Sequence, residues 1–167
     1  MEIRKLANNT LNFSLNRLLE FMGLSFAIIG LLLFVSLISY SPDDPNFIFP
    51  KDTEIKNILG FKGGFIADLF LQSFGLISYL ISFSLFFTGL NIFLTKKILL
   101  ILECLFFVTL YVFFGTLFLS FFYPNAFELY INGNGGFVGK YLDSTFLSNL
   151  SRYNENVFYY ICLILII

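Results

Sequence analysis

The chain has 167 residues, of which 57% are hydrophobic and 13% charged, and its formal net charge is −1. Soluble domains carry about a quarter charged residues, so this composition excludes a water-soluble globule and places most of the chain against lipid or other apolar helices. The near-zero charge supplies no basic field for nucleic acid, and the absence of histidine removes the commonest general base and metal ligand.

Residues 1–20 are polar and mixed in charge (Glu2, Arg4, Lys5, Arg17, Glu20), with Leu6, Leu11, Leu15, Leu18 and Leu19 at near-helical spacing. That pattern predicts a cytoplasmic amphipathic segment lying along the membrane surface. Residues 21–40, FMGLSFAIIGLLLFVSLISY, then carry no charge. At 1.5 Å per residue they reach about 30 Å, the thickness of a bilayer core. The run is too long for a signal peptide and has no small-residue cleavage site, so it predicts a retained first span.

The span ends in Tyr40, Ser41, Pro42, Asp43, Asp44 and Pro45. Proline fixes φ, lacks an N–H and drives its predecessor out of the α region, so the helix stops there and the chain enters water. Residues 41–62, with Pro42, Pro45, Pro50 and most of the local charge, form an extra-membrane loop. Asp43, Asp44, Asp52 and Glu54 lack the order of ligands of a calcium loop and predict a solvated acidic surface instead.

After Gly63-Gly64, residues 65–94 are apolar except for Asp68 and Gln72, and longer than a bilayer requires. A short interfacial helix over 65–73, a joint at Gly75 and a second span over about 74–94 account for that length. Thr95-Lys96-Lys97 is a very tight connection to a third span over 98–122, so the second and third spans predict an antiparallel hairpin. Residues 123–156 return to loop chemistry, with an interfacial helix over 137–150 entered through Gly135, Gly136 and Gly139. The final run, 157–167, reaches only about 16 Å, half a bilayer. It predicts an incomplete fourth span and hence the front end of a longer protein, from a truncated gene or an expressed fragment.

GGFIADLFL at 63–71 and GGFVGKYLD at 135–143 each follow a long loop and precede a span. The expected fold is an all-α membrane protein: a cytoplasmic segment, 1–20, then a four-helix transmembrane domain, 21–167, built as two tandem helical hairpins with interfacial helices in the two long outer loops. Lys and Arg are equally divided between the tail with the tight loop (Arg4, Lys5, Arg17, Lys96, Lys97) and the long loops (Lys51, Lys56, Lys62, Lys140, Arg152). The lysines packed into the short loop, and the excess of acids in the long ones, favour a cytoplasmic N-terminus.

Little in the chain suggests catalysis. NGNGGFVGKY at 132–141 fails as a Walker A loop, because Asn134 stands where its first glycine is required and Tyr141 where its hydroxyl follows the lysine. A dinucleotide loop fails at Val138. Cys104 and Cys162 lie in apolar runs and read as packing thiols, not as a disulfide or metal site. Glu103 is the one carboxylate well inside a span. Intramembrane acids are functional by default, and the turn geometry brings Glu103 level with Asn91, as a hydrogen-bond donor, and within reach of Lys96. A hydrogen bond fixing the hairpin is preferred to a small transporter or channel subunit using Glu103. Gly23, Gly30, Gly75, Gly89 and Gly115 offer close helix approach.

Taken together, LISYSPDDPNF at the end of the first span, NILGFKGGFIADLFLQSFG before the second and GGFVGKYL before the fourth make the chain resemble the N-terminal four-helix membrane region of the FtsK/SpoIIIE family of bacterial DNA translocases. The resemblance covers nearly the whole chain. It implies an inner-membrane anchor of a hexameric ATP-driven DNA pump at the division septum, acting in cell division and chromosome segregation. Its implied partners are the lipid bilayer, further copies of the chain and other septal membrane proteins, with no direct nucleic acid binding. Walker motifs and the DNA-reading domain are absent from these residues, so no catalytic, cofactor or metal residue carries over, and ATP and Mg belong to the motor alone. The residues marking the family are Tyr40, Ser41, Pro42, Asp43, Asp44, Pro45, Gly63, Gly64, Asp68, Gly75, Gly135, Gly136 and Gly139.

Overall fold

The computed structural model describes residues 2–45, 54–124, 132–145 and 155–166, and among them every regular element is an α-helix. We number these α1 (Glu2–Ile38), α2 (Gly60–Phe74), α3 (Ile77–Thr95), α4 (Leu99–Phe122), α5 (Gly136–Asp143) and α6 (Glu155–Ile166). Within α1, α3 and α4, the stretches Asn9–Ile38, Ile77–Thr95 and Leu99–Phe122 are long and apolar enough to cross a membrane; the apolar run of α6, Asn156–Ile166, is shorter. The all-α membrane class expected from the sequence is the class observed.

α1 is one unbroken helix of 37 residues, about 56 Å long. The segment expected along the membrane surface therefore continues the axis of the span, without a bend into a separate helix. The change at residue 20 is one of polarity alone; no proline or capping residue interrupts the backbone before Ser41-Pro42. α2 begins at Gly60, earlier than the interfacial helix expected from residue 65, and ends where Gly75 turns the chain with φ +58°. Lys96 closes α3 in the left-handed conformation, φ 59°, donating its N–H to the Ile92 carbonyl at 2.8 Å.

The dominant packing joins α1 and α3, antiparallel. Gly23, Ala27 and Gly30 on α1 meet Ser82, Phe86, Gly89 and Phe93 on α3 backbone to backbone. A Cβ added at Gly23 would stand 2.5 Å from the Phe93 nitrogen, and one at Gly30 2.5 Å from that of Phe86. In lipid no hydrophobic force drives helices together, so this small-residue seam gains its energy from dispersion along touching backbones. α3 and α4 share the tight turn expected of a hairpin; a cleft of about 440 Å³ lined by Phe83, Phe87 and Phe107 opens between them, while Ile77 and Ile81 pack with Tyr111 and Ile77 lies against Gly115.

The tandem arrangement is visible in the packing. α2 lies against α1, α5 lies against α4, and α2 and α5 touch each other. α6 returns along α4 through aromatic rings, Phe118 with Tyr159 at 5.1 Å and Phe122 with Phe158 at 6.1 Å. Two small cores hold the bundle, one of Leu33, Leu37, Ala67 and Leu71 and the other of Ile77, Ile81 and Tyr111. Large apolar side chains such as Leu24, Ile28, Leu31, Leu102, Leu105 and Phe106 face outward, as a lipid-facing surface demands.

Candidate functional site

The proline-aspartate corner folds inward onto the start of α2. The Asp44 amide donates to the Ser41 carbonyl at 3.2 Å, which turns the Asp44 carboxylate under the loop. There its two oxygens accept the backbone N–H groups of Lys56 at 2.8 Å and Asn57 at 3.0 Å. Asp44 is only 8% exposed, so the solvated acidic surface expected here is corrected at this residue: backbone donors, not water, satisfy its charge. Asp43 points outward and pairs with Lys56 at 3.0 Å, an exposed contact of little energetic weight. Among the described residues no cluster of acids, cysteines and histidines could hold a metal ion, and Asp52 lies outside those residues.

Buried Asn57 is the second half of this knot. It donates its amide to the Ser36 carbonyl at 2.9 Å and accepts the Leu59 N–H at 3.0 Å, while the Ser36 hydroxyl donates to the Gly63 carbonyl. Tyr40 at the end of the first span donates to Asp68 on α2 at 2.8 Å. Gly63 and Gly64 lie inside α2, not just ahead of it. Their missing side chains make room for Asn57 and for Asp44, whose Oδ2 would stand 3.3 Å from a Cβ at Gly64.

The second glycine entry is fitted to the joint between α2 and α3. The Asn134 carbonyl accepts the Leu76 N–H at 2.9 Å, and Asn132 donates to both the backbone and side-chain oxygens of Gln72 at 3.2 Å. Gly75 and Gly136, φ +58° and +65°, face each other there, and a Cβ on Gly136 would stand 2.6 Å from the Ser73 carbonyl. Gly135 and Gly139 bring α5 onto the backbone of Thr116 and Ser120 in α4. Buried Asn134 donates to the Tyr123 carbonyl at 2.6 Å, and its own side-chain oxygen has no partner among the described residues.

The intramembrane polar residues are arranged differently from the expected hairpin bond. Asn91 and Glu103 line the same α3–α4 cleft, with Ser84, Thr88 and Tyr111 deeper in it, but no hydrogen bond joins the two. Lys96, expected to reach Glu103, pairs instead with Glu20 of α1 at 2.9 Å, where Arg17 also meets the carboxylate. The left-handed turn at Lys96 and the α1–α3 seam carry its ammonium toward α1. Sequence reasoning missed this pairing because nothing local couples residue 20 to residue 96. The bond that does tie α3 to α4 is from the Tyr111 hydroxyl to Ser84, 2.9 Å.

These features define a polytopic helical membrane domain in which short glycine-lined helices, α2 and α5, pack against the ends of the long ones. The family model described as the 4TM region of DNA translocase FtsK/SpoIIIE matches residues 16–167, and the chain belongs to that family. Among curated proteins it is 34% identical over 88 residues to the DNA translocase FtsK of Azospirillum brasilense, covering 52% of this chain and 14% of that protein. To the DNA translocases FtsK of Rickettsia typhi and Rickettsia prowazekii it is 38% identical over 64 residues, covering 38% of this chain and 9% of each relative. The chain therefore spans a small part of these relatives' length. No solved structure matches it.

Proposed function

We propose that this chain is the membrane anchor and assembly module of a DNA translocase, holding it in the bacterial inner membrane at the division septum with the N-terminus cytoplasmic. The observation that carries the reading is the family match over residues 16–167, which takes in most of the first apolar helix, the whole of the later ones and both glycine entries. The anchor's own work is packing: the chain would present septal partners with the outer corner and further copies with its lipid-facing helices, while ATP, Mg and DNA would engage only a motor. A fluorescent fusion of the chain, imaged in dividing cells, is expected to collect at the septum. Uniform membrane fluorescence through the division cycle sinks the septal part of the reading.

A transporter or channel subunit is the second reading, favoured by Glu103 and Asn91 sharing one cleft without bonding to each other. Proton or ion flux in proteoliposomes that Glu103→Gln abolishes supports transport. No flux from the parent chain removes it.

A further inference from the structure

Between α1 and α2 lies a second groove of about 560 Å³. Ile29, Leu32 and Leu33 of α1 form one wall, Ile66 and Phe70 of α2 the other, and Leu85 of α3 the floor. Measured along α1, residues 29 to 36 run about 10 Å, from the middle of the span to its corner end. The wall is apolar throughout except for Ser36, whose hydroxyl is already committed to the Gly63 carbonyl. A groove of this kind lies at hydrocarbon depth and opens where acyl chains are.

Its mouth has the opposite character. Lys62 stands there beside Leu59 and Gly63, in the first turn of α2, a turn with no acidic residue. Lys62 is exposed, and no carboxylate of the described residues pairs with it, whereas Lys56 nearby is held by Asp43. The positive end of the α2 dipole adds to its ammonium. Asp44 does not cancel this charge: it serves the face of α2 that carries Gly64, and two helical positions place residue 62 about 200° away around the axis.

We propose that this groove binds one acyl chain of an anionic phospholipid, with the phosphate of the headgroup held by Lys62. An apolar slot beneath a single interfacial cation matches the two ends of such a lipid. A transmembrane helix fits less well, because Ile29, Leu32 and Ile66 at the rim are bulky and would keep a second backbone away, in contrast to the glycine seam between α1 and α3. The lipid would wedge α1 against α2 and so brace the same knot that Asp44 and Asn57 tie.

The test is native mass spectrometry of the full chain released from detergent with dioleoyl-phosphatidylglycerol or dioleoyl-phosphatidylcholine. Phosphatidylglycerol is expected to be retained in preference, and Lys62→Gln to weaken its retention about five-fold, the contribution of one juxtamembrane lysine, without altering phosphatidylcholine. Lys62→Arg should keep the preference, and Ile66→Trp, which fills the slot, should reduce both lipids. Equal retention of the two lipids by the parent chain overturns the proposal, as does unchanged phosphatidylglycerol retention in Lys62→Gln. Because residue 62 is exposed, that variant decides the matter even if Ile66→Trp fails to fold.

Discussion

Gly89→Ala is expected to destabilise the bundle by about 1–2 kcal/mol, although alanine is the better helix former by about 0.5–1 kcal/mol. The new methyl would lie 2.8 Å from the Ala27 Cα and against the Gly23 carbonyl oxygen. Both are backbone, so neither can rotate aside as a side chain would. Overpacking of this kind costs about 1–3 kcal/mol, and separating the helices also forfeits the dispersion contacts of Gly23 and Gly30 on the same seam. Gly115→Ala supplies the contrast. Its Cβ would meet chiefly the end of the Ile77 side chain, which can turn away, so the helix-propensity gain and the crowding nearly cancel. Unfolding in detergent followed by far-ultraviolet circular dichroism should show a lowered midpoint for Gly89→Ala and little change for Gly115→Ala. A raised midpoint for Gly89→Ala would mean that α1 and α3 are not in backbone contact.

What could be read from the sequence divides along a physical line. The spans, the stop at Ser41-Pro42 and the joint at Gly75 follow from local chemistry: hydropathy over membrane length, proline's missing N–H and glycine's freedom at positive φ. The family marks were legible too, since LISYSPDDP and the two Gly-Gly-Phe entries are contiguous strings. Their purpose was not. Gly63 and Gly64 read as the entry to a helix expected from residue 65, yet they sit within α2, beside the space that Asn57 and Asp44 occupy. Asp44 read as a solvated acid because its partners, the amides of residues 56 and 57, offer no side-chain signal. Glu103 was assigned Asn91 and Lys96 by helical ruler alone, which assumes that neighbours in sequence pack closely. The small-residue α1–α3 seam instead brings Lys96 to Glu20, and that choice belongs to tertiary packing.

The corner itself carries the other large prediction. Asp44→Ala removes both acceptors of the Lys56 and Asn57 amides. Hydrogen bonds to a charged group contribute about 1.5–3 kcal/mol each. Water entering the vacated edge restores part of this, so a loss of about 3 kcal/mol is expected. Asp43→Ala, one residue away, removes an exposed ion pair and should stay within about 1 kcal/mol. The difference would also be seen locally. With Asn57 released from Asp44, its hold on the Ser36 carbonyl weakens, α2 loosens from α1, and limited proteolysis should cut between α1 and α2 sooner in Asp44→Ala than in Asp43→Ala. Equal stability and equal cleavage of the two variants would return Asp44 to the solvated acid that its sequence context suggests. If the asymmetry holds, the first aspartate contributes a surface ion pair and the second shapes the loop that carries it.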